Sequence, residues 1–204
     1  MAQTRDAKLK AKIRDLYKAQ LQPLGFNLKS ARLPKRMLPG LRQGIEFQPG
    51  GGHLAGKYTL NIYWGFRHRL DEGYAFDGCV RPSDLIGSDQ DVWYSREDEF
   101  LDIDFAAVEE LVESLAIPYL VRHESVEKIV REFDAGRLSR VHGFGVDVGW
   151  QEFNLGFCRA FVGDSAGAVR HYWSVVVNHS HEPLDFIQRR KRAALDEIER
   201  LGRN

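Results

Sequence analysis

The chain of 204 residues carries 29 Lys and Arg against 29 Asp and Glu, for no formal net charge, and its 43% apolar content can fill one large domain or a smaller one with an appended element. This composition excludes a disordered polymer and removes any argument that the whole protein coats nucleic acid or a membrane by bulk charge. The charge is unevenly placed: residues 1 to 36 hold ten Lys and Arg against Asp6 and Asp15, whereas residues 84 to 113 hold eleven Asp and Glu against Arg96 alone. Either these segments attract each other within the fold, or one of them faces a partner.

Leu9, Ile13, Leu16 and Tyr17 recur at helical spacing between Lys and Arg, which predicts an amphipathic helix over residues 5 to 21 that ends before Pro23. The charged N-terminus lacks the apolar run of a signal peptide and no later stretch has the length of a membrane span, so the expected compartment is cytoplasmic. From Phe26 the period changes. "GFNLKSARL", "QGIEFQ", "KYTLNIYWGF" and "GYAFDGCVR" are short β-favouring runs separated by Pro- and Gly-bearing turns. In the third, Tyr58, Leu60, Ile62, Trp64 and Phe66 share one face and Thr59, Asn61 and Tyr63 the other, which predicts an antiparallel sheet with one oily face.

Helical periodicity returns at Asp102, with Val108, Leu111, Val112 and Leu115 in a stripe that stops at Pro118. A second helix starts near Ser125, buries Val126, Ile129, Val130 and Phe133, and closes at Gly136. The glycines of "GRLSRVHGFGVDVGW" predict a hinge or loop, after which helices are expected over 150 to 162, 165 to 178 and 183 to 201. Gly163 and Asp164 form a stop and an N-cap side by side, and Pro183 suits a first helical turn.

Several motifs invite chemistry. "GGHLAGKYT" satisfies the spacing G-x-x-x-x-G-K through Gly51, Gly56 and Lys57, but a phosphate loop needs a following helix and a Ser or Thr after its Lys. Tyr58 and a strand follow instead, so the stretch is a hairpin connection and no nucleotide is expected. His179, His181 and Glu182 have no second cluster at ligand spacing, and "REDEFLDIDF" (Glu97, Asp98, Glu99, Asp102, Asp104) lacks the glycine-centred loop of an EF-hand. No metal or cofactor is expected, and the acidic stretch is read as a solvated loop leading into a helix N-terminus. Cys79 and Cys158, far apart and outside any CxxC pair, are expected to be reduced, buried thiols with no His beside them. The aromatics Tyr63, Trp93, Tyr94, Trp150 and Trp173 sit at spacings typical of core. Leu155, Gly156, Ala168 and Tyr172 match the packing positions of a tetratricopeptide helix pair, which resembles a single repeat and therefore has to dock on the rest of the protein or on another chain.

"CVRPSDLIG", "DQDVWYS" and "AIPYLVRHESVE", between residues 79 and 127, follow one another in an order and spacing that resembles the bacterial domain-of-unknown-function family DUF4304. The basic N-terminal helix, "LGF" at Leu24 to Phe26, "GIEFQ" and "YTLNIYWG" extend the resemblance over roughly residues 5 to 135. The chain departs from it in "PKRMLPG", in "PGGGHLAG" and in the helices after about residue 140. The resemblance implies an α+β fold and no particular activity.

Physically, a strand alternating Cys79 and Arg81 against Val80 puts a guanidinium and a thiol on one face, and a half-buried Arg needs an acceptor such as Asp91 or a ligand anion. Trp93 could stack on it, with Tyr94 adjacent. An Arg81–Asp91 pair that merely ties a loop to the core is the competing architectural reading.

The expectation is an α+β protein with an N-terminal helix, a mainly antiparallel sheet of four or five strands and packed helices over residues 1–138, followed by a helical extension over 139–204 packed on the first part. Two functions are open. One is a non-enzymatic protein-binding or regulatory protein of the immunity type, whose acidic region 84–113 steers a basic partner such as a nuclease. The other is a small-molecule or phosphate-ligand enzyme around Arg81, with Asp91, Trp93, Tyr94 or His68. No nucleic acid and no membrane are expected as partners, because the Lys and Arg of the first helix have no interleaved aromatics; the chain is expected to be a monomer or homodimer.

Overall fold

The computed structural model describes residues 5–67, 77–138, 148–178 and 184–203. His68, "GYAF" of the fourth expected strand, most of the glycine-rich hinge, His179, His181, Glu182 and Pro183 lie outside the described residues. The fold is α+β, a mainly antiparallel sheet with helices. Contacts divide it into two compact units: Met1–Leu38, Arg42–Trp64 and Cys79–Arg122 form the first; Pro39–Leu41, Gly65–Gly78 and His123–Asn204 form the second.

In the first unit, helix α1 (Arg5–Leu16) buries Leu9, Ile13 and Leu16. It does not end before Pro23. A π-turn (Tyr17–Leu21) and a 3-10 turn (Gln22–Leu24) carry the winding to Gly25, and Pro23 is tolerated because the opening residues of a turn need no amide donor. The strands are β1 (Asn27–Ser30), β2 (Leu33–Leu38), β3 (Leu41–Pro49), β4 (Lys57–Phe66), β5 (Gly78–Val80) and β6 (Tyr94–Ser95), in spatial order β1-β2-β3-β4-β5 with β6 also on β4. "PKRMLPG", expected as an insertion between strands, supplies most of β2. What makes a strand of it is a satisfied buried Arg: Nε of Arg36 donates to Gln43 Oε1 at 2.9 Å, another of its nitrogens donates to the Leu24 carbonyl at 3.1 Å, and the guanidinium lies 4.9 Å from the Phe26 ring centre.

β4 departs from the expected pattern. Its apolar face is buried, but so are Thr59, Asn61 and Tyr63 on the other face. The two polar side chains among them are satisfied there: Thr59 Oγ1 donates to the Val92 carbonyl at 2.8 Å, and Asn61 Nδ2 donates to Glu46 and Gln48, each at 2.9 Å.

Helix α2 (Pro82–Ile86) is short and was not expected from the sequence. Helix α3 (Asp98–Leu111) begins four residues earlier than the apolar stripe indicates, so most of the acidic stretch lies in its first turns rather than in a loop; carboxylates there complement the positive end of the helix dipole. Phe105 of α3 stacks on Phe47 of β3 with ring centres 6.4 Å apart, and α1 lies beside α3. The winding does not stop at Pro118. A π-turn (Val112–Ala116) passes into α4 (Ile117–Arg122) as the Ile117 amide reaches back to Val112, and the widened turn absorbs the donor that proline lacks.

The second unit holds α5 (Val126–Asp134), α6 (Val148–Phe161), α7 (Ser165–Asn178) and α8 (Asp185–Gly202). Ser125 caps α5 through the Lys128 amide at 3.3 Å, and Asp164 caps α7 through the Gly167 amide at 2.8 Å. α6 and α7 pack as a hairpin, and α8 covers it through a core of Phe153, Ala168, Tyr172, Val175, Ala193 and Ala194. Gly156 is required at the crossing: a Cβ there would lie 2.6 Å from the Tyr172 ring. Buried Asp77 ties the unit together, accepting from the Phe66 amide at 2.6 Å, Trp150 Nε1 at 2.8 Å and Asn154 Nδ2 at 2.6 Å. Among the described residues no helix is long and apolar enough to cross a membrane.

Removing the Asp77 carboxyl strands three donors away from water. Asp77→Ala is therefore expected to cost at least about 3 kcal/mol in urea unfolding; a loss below about 1 kcal/mol would show that the donors find other acceptors.

Candidate functional site

The four residues singled out by the sequence separate into two places. Arg81 follows β5 in extended conformation and caps α2, its amide donating to Asp84 Oδ2 at 2.6 Å, and its guanidinium is ion-paired with Asp91. The side chains of the pair are 36% and 46% exposed, so it is a surface clasp holding the turn after α2. No ring contact joins Trp93 to Arg81. Half-buried Cys79 is one residue from the β5 end, and burial, opposed by the Arg81 charge, pushes its thiol up to about 11. Burial also raises the Cys158 thiol well above its ordinary value. Neither sulfur is a poised nucleophile.

Trp93 and Tyr94 belong elsewhere, at the base of the glycine loop. β6 pairs with the start of β4, Lys57 opposite Ser95 and Tyr58 opposite Tyr94, and the Arg96 amide donates to the Gly56 carbonyl at 2.8 Å. The loop "PGGGHLAG" is thus closed at both ends by strands. The Gly50 amide bonds the Lys57 carbonyl at 3.0 Å, and no helix follows to present amides to a phosphate. Asp104 of α3 accepts from the Ser95 amide at 2.5 Å and fixes the helix against β6. Burial and the Asp104 charge raise the phenols of Tyr58 and Tyr94, whose rings lie 5.6 Å apart.

These elements border an open cavity of about 400 Å³ lined by Lys57, Trp93, Ser95, Glu97, Phe100 and Asp104. Among the described residues, two carboxylates and one ammonium leave the lining with one negative charge. From it the outer side of α3 continues with Phe100 and Ile103, 51% and 72% exposed, on a helix that also exposes Glu99, Asp102 and Glu110, with Glu113 exposed in the π-turn that follows. Phe100 and Ile103 were not among the residues weighed in the sequence, although a signal existed. Leu101, Phe105, Val108 and Val112 already fill the inward stripe, so two further large apolar residues off that stripe have no core to enter.

The basic N-terminal segment partly neutralises this helix from within the chain. Lys12 Nζ lies 2.6 Å from Asp102 Oδ1, and this contact lowers the Asp102 carboxyl below its ordinary range. Lys10 and Arg32 both pair with Asp6. The charged segments do attract each other, and Glu99, Glu110 and Glu113 stay at the surface. Among the described residues no group of three or more His, Cys, Asp and Glu could hold a metal ion. Of the other aromatics, Tyr63 is buried, Trp150 is half-buried and Trp173 is 47% exposed.

Comparison with protein-family models, with curated proteins and with solved structures finds no match to the chain.

Two outcomes follow from this geometry. Arg81→Ala is expected to lower unfolding stability by less than about 1 kcal/mol, the range of an exposed ion pair; a larger loss in chemical denaturation would make the clasp a core element. Because Cys79 stays a neutral thiol at pH values where an ordinary thiol has ionised, its alkylation by iodoacetamide in the Cys158→Ala background should be slow at pH 8 and climb only as the pH nears 11. Fast labelling at pH 8 would contradict the burial.

Proposed function

We propose that the chain is a non-catalytic protein-binding module, of regulatory or immunity type, that receives a basic partner protein on the outer face of α3 and the adjoining cavity. The observation that carries this reading is the presence of exposed Phe100 and Ile103 on a helix that also carries exposed carboxylates, Glu99 and Glu110 among them. Large apolar side chains in water mark contact surfaces, and carboxylates on the same helix select a partner of positive charge and speed its approach. The cavity between Trp93 and Phe100, with Glu97 and Asp104 in its lining, suits a Lys or Arg side chain from that partner, stacked on the indole and paired with a carboxylate. The same acidity disfavours a nucleic-acid backbone. Membership of the DUF4304 family, a bacterial source and action in the cytoplasm belong to this proposal. The partner is identified by chemistry: a basic protein surface, as on a nuclease, with an apolar side chain among its cations.

The test is a photo-crosslinking residue at position 103 in cells that express the chain natively, with the exposed Leu195 position as control. Position 103 is expected to capture one basic protein, whose purified form then binds at least about tenfold more weakly to the Glu99→Lys/Glu110→Lys variant. Capture equal to that at position 195, or affinity unchanged by charge reversal, would overturn the reading.

A further inference from the structure

The second unit contains a cavity unrelated to the α3 face. Phe153, Phe157, Ala160 and Phe161 of α6, Tyr172 of α7 and Arg67 at the end of β4 line a space of about 330 Å³. On α6 these residues fall at i, i+4, i+7 and i+8, a single helical face, and a face so rich in rings would ordinarily be filled by its neighbours. It stays open because Ala160 carries only a methyl group and Gly156 carries no side chain, so the Tyr172 ring sinks onto the helix backbone instead of standing above it.

The rings that form the wall are held in place. Phe153 and Tyr172 are buried and meet edge to face at 5.4 Å, Phe157 lies 5.6 Å from Phe66 and 5.9 Å from Phe161, and the Phe161 ring rests against Gly40. A preformed cluster of this kind offers edges and faces to a further ring without having to rearrange.

Charge then decides the ligand. On α8, Arg200 Nε and Glu197 Oε2 pair at 2.8 Å and cancel each other at the cavity lining. Arg67 is exposed, and its guanidinium has no hydrogen bond or ion pair among the described residues. Among the described residues the lining is then four rings, a methyl group and one neutralised ion pair, with Arg67 as the remaining cation, of the type that binds a carboxylate through two parallel hydrogen bonds. We propose that this cavity is a binding site for a small monocarboxylate bearing one aromatic ring, the ring seated among Phe153, Phe157 and Tyr172 and the carboxylate on Arg67. The site is independent of the α3 face and of the protein-binding reading.

The experiment is a titration of the full chain with phenylacetate, followed by calorimetry and by the NMR resonances of the Phe153 and Tyr172 rings, with phenylacetamide and acetate as controls. Phenylacetate should bind saturably and shift those ring resonances; acetate lacks the ring and phenylacetamide the charge, and each should bind about tenfold or more weakly. Arg67→Met, at an exposed position that leaves the fold intact, should reduce phenylacetate affinity to that of phenylacetamide. Ala160→Phe, checked for folding by circular dichroism, should fill the cavity and remove binding of both. The proposal is overturned if phenylacetate leaves the ring resonances unshifted up to roughly 10 mM, weaker than typical small-ligand affinities. It is equally overturned if Arg67→Met binds phenylacetate as tightly as the unmodified chain.

Discussion

Both faces of β4 are closed to water, and much of the first unit follows from that constraint. A strand with one oily face needs a single cover, which Phe105 of α3 begins by stacking on Phe47. Because the opposite face carries Thr59 and Asn61, the second cover has to be polar where it meets them. The Val92 carbonyl answers Thr59, and Glu46 and Gln48 of the adjacent strand answer Asn61. The Val92 contact brings the 91–95 segment onto the sheet, and the pairing of β6 with the start of β4 then places Trp93 and Ser95 beside Gly56 and Lys57. The cavity at the base of the glycine loop is a consequence of how the strand's polar side is satisfied.

The second unit meets the same requirement with a different device. Asp77 gathers a backbone amide, an indole and a carboxamide at one buried carboxyl, which ties the last residue of β4 to the first turns of α6. Arg190 of α8 adds a guanidinium 4.9 Å from the Trp150 ring centre. Polar groups inside a protein fix geometry more narrowly than apolar ones, because each donor has to find an acceptor at a set distance and angle.

Charge has two roles in this chain, and the structure separates them. The basic α1 and the acidic α3 lie side by side, and Lys12 with Asp102 joins them across a surface where such a pair adds little stability but favours one arrangement. Glu99 and Glu110, outside that contact, share α3 with Phe100 and Ile103. A helix with its inward stripe already filled and two large apolar residues outside it has more hydrophobic surface than its own fold can bury. The Arg81–Asp91 pair, by contrast, engages the guanidinium within the chain, and the thiol beside it is held neutral by burial.

Local chemistry was legible in the sequence. The stripe of Leu9, Ile13 and Leu16, the alternation along β4, the strand that follows the glycine loop and the cap and stop at Gly163 and Asp164 all rest on contacts or dihedral preferences within a few residues. Tertiary structure decided what depends on distant partners. "PKRMLPG" became a strand because Gln43 and the Leu24 carbonyl receive Arg36; the helix ran past Pro118 because a π-turn absorbed the missing donor; and Trp93 parted from Arg81 because β6 pairs with β4. Periodicity reports which face of an element is apolar, not which element will cover it. For that reason the sequence alone determined the α+β class and most element positions, whereas both cavities, the exposed face of α3 and the surplus charge of Arg67 arose only when residues far apart in the chain were brought together.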